Sequence, residues 1–553
     1  MCDKEEDLDS AQLMIKDFVS EKLKDVMNSL ETVYVSPCEI KKLISSLKRG
    51  VSPGNDNICV EHLIHGASEN FCAILADIYT SVLTTALIPE AMCVGIIVPI
   101  LKKSTLDTNC TGNYRPITLS SSYSRLLERL ISPDYTPCDT QFGFRSGRGT
   151  GFVTCLLNDV CAYFNAAGSP VYLCTLDAEK CFDMIWHNGL FYKLWNKLPC
   201  QHWAVLLNWY RSTKAQVRWN GCLSYEFKIS RGMKQGSLLS PTLFNVFLDD
   251  LLTDLKCTAS GIRIDDLHLN SCAYADDVSL FSASIPGLQL LMDVSSSYAR
   301  RWRFSFSAKK TKCIIIGKQL TKTPPVWHLN SHTINISEEV EILGVTFTHD
   351  RNTGPHLTKR MSACRKAIYG LSSAGMSYPG LHASVKSHIW KTVGVPTLLY
   401  GMESISLRTN DFNKLSCVAT TTLKSVFGIP KRCHHSDLLR ALKIPPISEN
   451  IKYSVTSLFH RIFKEDSPAR ELQARLLSRQ LVTGSCIDGT LLSQIVNFGL
   501  NPVSIIIDKP VQNRIGHITD GVVNSLEYLL YHENFIKPWS HEFMLVTLLS
   551  RAF

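Results

Sequence analysis

The stretch "SCAYADDVSLFS" (271–282) sets two adjacent aspartates, Asp276 and Asp277, inside an otherwise apolar run. Cys272, Ala273 and Tyr274 lead in, and Val278, Leu280 and Phe281 lead out. Flanks of this kind predict a central hairpin in a sheet, with its turn presented to a cleft. Two carboxylates held there repel each other and lose hydration. A bound divalent cation offsets both costs.

One turn supplies too few oxygen ligands for a metal. The best further candidate is Asp177, which ends the short β-rich run "VYLCTLD" (171–177). If that strand neighbours the hairpin, Asp177 and Asp276 would share two magnesium ions. Two ions roughly 3.5–4 Å apart activate an attacking hydroxyl and stabilise a leaving phosphate. The competing reading is a pair of structural turn aspartates. Two other Asp-Asp pairs show that a pair alone means little. Asp249 and Asp250 lie in "SPTLFNVFLDDLLTDL" (240–255), expected to be a helix with Ser240 as N-cap and Pro241 at its first position. Its apolar stripe runs Leu243, Phe244, Phe247, Leu248, Leu251, Leu252 and Leu255, which leaves the aspartates on the wet side. Asp265 and Asp266 interrupt the alternating "GIRIDDLHLN" (261–270) and read as a hairpin turn.

Composition bounds the rest. A chain of 553 residues exceeds one ordinary core and implies two to four domains or subdomains. With 45% hydrophobic and 19% charged residues it is globular in composition. The net charge of +9 permits a polyanionic partner without demanding one. None of the 20 cysteines forms a C-x-x-C pair, which argues against zinc knuckles and leaves most of them as small core filler. The acidic start "MCDKEEDLDS" is no signal peptide, and no apolar run reaches the roughly 18 residues that span a bilayer. Reduced thiols and a nuclear or cytoplasmic location, with no membrane partner, are expected.

Along the chain, helices are expected over 7–33 and 37–50, the second stopped by Gly50. "VSPGNDN" (51–57) reads as a loop and "CVGIIVPILKK" (93–103) as a strand. Beyond about 355 the pattern is mainly helical, with Lys359, Arg360, Arg365 and Lys366 at helical spacing. Arg475 and Arg479 stand four apart near the end, in no legible motif.

Taken in order, the motifs resemble those of the reverse transcriptases of non-LTR (LINE-type) retrotransposons. "KRGVSPGNDN" (48–57), "VPILKK" (98–103) and "NYRPITLSSSYSRLLERLI" (113–131) are similar to the family's fingers motifs, and "QFGFRSGRGT" (141–150) to the segment before the palm. "LDAEKCFDMIWH" (176–187), "RGMKQGSLLSPTLFNVFLDDLL" (231–252) and "AYADD" (273–277) resemble the successive catalytic motifs. "AKKTKCIIIGK" (308–318) and "EILGVTF" (341–347) resemble the last palm motifs, and "VPTLLYGMESI" (395–405) a thumb segment.

The resemblance implies an α/β (α+β) right-handed polymerase with fingers, a palm built on an antiparallel sheet, and a helical thumb. It divides the chain into an N-terminal helical extension (1–45), fingers (46–168), palm (169–350), thumb (351–450) and a C-terminal helical region (451–553). Asp177, Asp276 and Asp277 would hold two Mg²⁺ ions, with Mn²⁺ as a substitute. Phe182 would lie beneath the incoming sugar and exclude a 2′-hydroxyl. Lys102 or Lys103, with Arg115, would neutralise the triphosphate; arginine suits this through its planar fork, lysine as a point charge. Gln235 and Gly236 match the element touching the template and the nascent pair. Lys310 matches the lysine that protonates the leaving pyrophosphate. Leu343 and Gly344 match the turn that grips the primer end. Arg145, Arg148, Lys359 and Arg360 would track template and primer phosphates.

The implied activity is RNA-directed DNA polymerisation, with an RNA template, a DNA primer and dNTPs as partners. The alternative is a retroelement remnant that only binds nucleic acid. Ser237 and Ser307 depart from residues common in the family, as do Asn55 and Asn57. About 45 residues precede the similarity and no C-x-x-C follows it, so no endonuclease domain is expected.

Overall fold

The computed structural model describes residues 8–103, 106–318, 323–378 and 380–507. Its first helix, Ser10–Asn28, starts where Asp9 accepts from the Gln12 backbone N–H at 2.8 Å while Gln12 reaches back to the Asp9 N–H. The next, Pro37–Ser45, is capped by Ser36 and stops five residues short of Gly50. The Ser45 and Ser46 hydroxyls donate back to the Lys41 and Leu43 carbonyls. Such local bonds compete with helix continuation, so serine rather than glycine ends this helix.

In chain order the strands are β1 (Val94–Leu101), β2 (Tyr114–Leu119), β3 (Val171–Asp177), β4 (Lys214–Trp219), β5 (Cys222–Leu223), β6 (Phe227–Lys228), β7 (Ile262–Ile264), β8 (Leu267–Leu269), β9 (Ser271–Tyr274), β10 (Asp277–Ser282), β11 (Lys312–Ile316), β12 (Trp327–Leu329), β13 (His332–Ile334), β14 (Glu339–Ile342) and β15 (Val345–Thr348). The expected strands at 93–103 and 171–177 are β1 and β3, and the expected turn at Asp265–Asp266 joins β7 to β8.

The chain forms two compact units. One comprises residues 1–144, 177–254 and 294–307. Its sheet runs β2-β1-β4-β5, with β6 also paired to β4. β1 and β2 are antiparallel, with Ile100 opposite Arg115, and β1 and β4 are parallel. The helix Ser240–Lys256 buries its whole expected stripe, from Leu243 to Leu255. Its start differs from expectation: Ser240 is already helical, and its hydroxyl donates to the Lys234 carbonyl at 2.8 Å instead of capping. Asp249 and Asp250 are partly exposed, in line with the expected wet side, but each has protein partners. Asp249 accepts from the Tyr135 hydroxyl and from the Cys138 N–H, while Asp250 pairs at 3.0 Å with the buried Lys193. Lys193 also lies over the Trp302 ring, 3.9 Å from its centre.

The other unit comprises residues 145–176, 255–293 and 308–553. Its sheet runs β11-β3-β10-β9. β11 pairs antiparallel with β3, and β9 with β10. Buried Val171, Leu173, Cys174, Leu280, Phe281 and Ile314 give this sheet its core. Cys174, Cys272 and Cys313 are fully buried within it, in keeping with their reading as small apolar filler. From Gly354 onward this unit is helical, through Gly354–Gly370, Thr409–Phe427, Ile447–Lys464, Pro468–Thr483 and Leu491–Asn497. The end of the expected C-terminal helical region, 508–553, lies outside the described residues. Among the described residues no helix is long and apolar enough to cross a membrane.

Candidate active site

The carboxylates sit at strand ends. Asp177 is the last residue of β3, half-buried, and its carbonyl accepts from the buried Ser307 N–H at 2.8 Å. The departure at Ser307 therefore keeps a backbone contact that any side chain permits. β10 neighbours β3 in the sheet, and Asp277 is its first residue. Asp277 pairs with Tyr274, so Ala275 and Asp276 form a two-residue hairpin loop. Ala275 takes φ 58°, the sign that glycine usually supplies at the first loop position of a type II′ turn. Alanine there stores strain of about 1 kcal/mol. Asp276 is half-buried and Asp277 exposed.

Asp177, Asp276 and Asp277 each offer only oxygen donors, the chemistry that suits a hard ion such as Mg²⁺ or Mn²⁺. Among the described residues no three His, Cys, Asp or Glu side chains converge as a finished metal cage. The donor chemistry of the three aspartates fits such an ion.

The next group lies within the first unit. The short helix Cys181–Met184 carries Phe182, whose ring stacks on the fully buried Phe244 at 4.5 Å and 19°. Phe144 meets it edge-on at 6.3 Å and 88°. Two aromatic neighbours leave the half-buried Phe182 ring little freedom. No role is assigned to Phe144 from the sequence, although it lies in the "QFGFRSGRGT" stretch; in the structure it is half exposed at φ 59°.

The loop 231–239 is tied down at every few residues. The Gly232 N–H donates to the Ile185 carbonyl at 2.8 Å, and Met233 to Phe182 at 2.7 Å. Thr118 of β2 donates to the Gln235 carbonyl at 2.7 Å. The Leu238 N–H donates at 2.8 Å to Glu128, a carboxylate fully buried beside Lys234 and Ser237. Burial pushes the Glu128 carboxyl up and the Lys234 ammonium down from their ordinary values. Ser237 thus belongs to the support of this loop. Gly236 has φ 111°, and a Cβ there would lie 3.0 Å from the Thr118 carbonyl oxygen. Only glycine fits this approach without strain. The Gln235 side chain donates to Asp183 at 2.8 Å.

Of the other expected nucleotide contacts, Lys102, Lys103 and Arg115 are exposed around the β1–β2 connection. Lys102 donates to the Gly112 carbonyl at 2.9 Å. In the second unit, Lys310 is exposed in the turn before β11. Leu343 and Gly344 form the two-residue loop between β14 and β15, at φ 48° and 80°. A Cβ on Gly344 would come within 2.9 Å of the Tyr400 ring. Tyr400 belongs to the "LLYGMES" stretch, and its hydroxyl donates to the Leu343 carbonyl.

The four expected phosphate contacts divide. Arg145 is half-buried, and Arg360 lies 5.4 Å from the centre of the Tyr400 ring. Lys359 is exposed but paired with Glu341. Arg148 is buried and donates to the Asp466 carbonyl, so its guanidinium serves the protein interior.

The family described as "Reverse transcriptase (RNA-dependent DNA polymerase)" matches residues 100–347, a span that includes every element of the site up to β15. The chain is 27% identical over 452 residues to "RNA-directed DNA polymerase from mobile element jockey" of Drosophila melanogaster, covering 78% of this chain and 48% of that protein. "Probable RNA-directed DNA polymerase from transposon BS" of the same organism is 24% identical over 491 residues, 83% of this chain and 53% of its own length. "Retrovirus-related Pol polyprotein from type-2 retrotransposable element R2DM" is 27% identical over 336 residues, 58% of this chain and 31% of its own. The chain thus spans about half the length of the first two relatives, or less in the third. Residues 100–347 thus match the reverse transcriptase family, and most of the chain is similar to polymerases of non-LTR retrotransposons.

Proposed function

We propose that this chain is an RNA-directed DNA polymerase that extends a DNA 3′-hydroxyl on an RNA template. The observation that carries the reading is the sheet order β11-β3-β10-β9. In it, the strand ending in Asp177 neighbours the strand opening with Asp277. Asp177, Asp276 and Asp277 would hold two divalent cations, Mg²⁺ or Mn²⁺, which would supply a lowered pKa at the primer hydroxyl and charge neutralisation at the leaving pyrophosphate.

The chain's own residues do the rest. Phe182, braced by Phe244 and Phe144, presents a rigid ring that clashes with a 2′-hydroxyl and selects dNTPs. Gln235 and Gly236 approach the nucleotide through an amide and bare backbone. Lys102, Lys103 and Arg115 draw in the triphosphate, and Lys310 donates a proton to the pyrophosphate. The Leu343–Gly344 turn holds the primer end, and Arg145 and Arg360 contact phosphates. Arg148, buried on the Asp466 carbonyl, supports the fold instead. On this reading the sheet β11-β3-β10-β9 is the palm, β1–β2 belongs to the fingers, and the helices from Gly354 to about residue 450 form the thumb.

The test is extension of a labelled DNA primer on an RNA template by the purified chain, with dNTPs or rNTPs, with and without Mg²⁺. Mg²⁺-dependent extension that prefers dNTPs supports the proposal. RNA binding without extension would replace it with the binding-only remnant.

A further inference from the structure

We infer that Asp183 is a positioning residue for the nucleotide: its carboxylate fixes the Gln235 amide in the orientation that the incoming dNTP meets. The inference rests on the polymerase reading of this site.

Asp183 follows Phe182 in the short helix Cys181–Met184. Its Oδ1 accepts from the Gln235 Nε2 at 2.8 Å, and among the described residues this is the one side-chain hydrogen bond that Gln235 makes. An ionised carboxylate only accepts, so it admits the N–H edge of the amide and rejects the oxygen edge. Oε1 and the second N–H are then turned away from Asp183. Without that partner the amide is free to rotate and flip, and ordering it on the nucleotide costs side-chain entropy. Asp183 removes most of that cost before the nucleotide arrives.

Two features separate positioning from simple support of the loop. First, the loop does not depend on this bond. Backbone bonds from Gly232 to Ile185 and from Met233 to Phe182 hold it on one side, and Thr118 and Glu128 hold it on the other. Removing the Asp183 carboxylate therefore frees a side chain and leaves the backbone in place. Second, Asp183 lies on the wall of a cavity of about 300 Å³ that Lys180, His187, Arg231 and Lys234 also line. Burial raises the Asp183 carboxyl above its ordinary value, while the Gln235 N–H, Lys180 and Lys102 act the other way. These neighbours offset part of that burial cost, and the Gln235 N–H itself meets the carboxylate oxygen at 2.8 Å.

The test compares wild type, Asp183→Ala, Asp183→Asn, Gln235→Ala and the double variant Asp183→Ala/Gln235→Ala, with steady-state dNTP kinetics on a fixed RNA–DNA primer-template. Asp183→Ala is expected to raise the KM for dNTP roughly tenfold while kcat changes by less than about threefold. Asp183→Asn keeps an oxygen that accepts the same N–H, so it recovers most of the loss. The double variant is no worse than Gln235→Ala alone, because the two residues act as one unit. If Asp183→Ala melts early, Asp183→Ser repeats the test with a side chain too short to reach the amide. An additive double variant, or a wild-type KM in Asp183→Ala, overturns the role of Asp183 while leaving the polymerase intact. A wild-type protein that never extends the primer overturns the polymerase reading, and this inference with it.

Discussion

The Tyr400 hydroxyl donates to the Leu343 carbonyl at 2.8 Å, across 57 residues of sequence. The bond fastens the β14–β15 loop at its most strained point, since Leu343 has φ 48° with a branched side chain. Tyr400→Phe keeps the ring and loses the bond. It is expected to cost about 1 kcal/mol in denaturant unfolding. On the proposed reading it also raises the primer concentration needed for half-maximal extension, without altering the KM for dNTP.

His356 ties the same hairpin to the same tyrosine. Its Nδ1 accepts from the Thr346 N–H at 3.3 Å, and its Nε2 lies 3.0 Å from the Tyr400 carbonyl. Burial drives its pKa down to about 4, with Arg360 and Lys359 acting in the same direction. The unfolded chain, near 6.5, then binds more protons than the fold between pH 4 and 6.5. Stability from neutral His356 is complete above pH 6.5 and is lost as pH falls toward 4, by about 3 kcal/mol. Melting temperatures across that window should fall more steeply for wild type than for His356→Gln, which has no proton to take up.

Ala275 offers a test of strain. Glycine accepts φ 58° without a Cβ penalty, so Ala275→Gly relieves about 1 kcal/mol of strain, of which the greater freedom of the unfolded chain takes back roughly half, for a net gain of about 0.5 kcal/mol. Ala275→Val, β-branched at the same φ, should destabilise it by more than that. Equal unfolding midpoints for all three would show that the turn carries no strain.

Asp159 is a fully buried carboxylate on the helix Thr150–Ala166. It accepts from the Leu491 N–H at 3.0 Å, from the Gln473 amide and from the Cys155 thiol at 3.4 Å. It thereby caps the helix Leu491–Asn497 and anchors Pro468–Thr483. Asp159→Ala leaves those buried donors unmatched and should cost about 2–3 kcal/mol at neutral pH. Urea unfolding that shifts by less than about 0.5 kcal/mol would contradict this role.

The carboxylate hairpin was legible because its signal is local: apolar flanks on both sides of two aspartates. The strand carrying Asp177 was legible for the same reason. What escaped were partners distant in sequence. Arg475 had no motif around it, yet it pairs at 2.5 Å with Asp266 in the β7–β8 turn. The Lys193–Asp250 pair was not legible, because a helical stripe identifies the buried face and says nothing of which distant side chain meets the other one. Asp183 lay inside a quoted motif, and its carboxylate amid "CFDMIW" was the available signal. Its meaning needed Gln235, which stands 52 residues away.

The central claim is that the carboxylates at the ends of β3 and β10 make a polymerase. It is tested most directly by RNA-templated extension of a DNA primer with Asp276→Ala beside wild type, at equal RNA affinity and equal melting temperature. The account predicts extension by wild type and a loss of at least about a thousandfold in the variant, as expected where one group acts on the transition state. Equal extension by both proteins would contradict it.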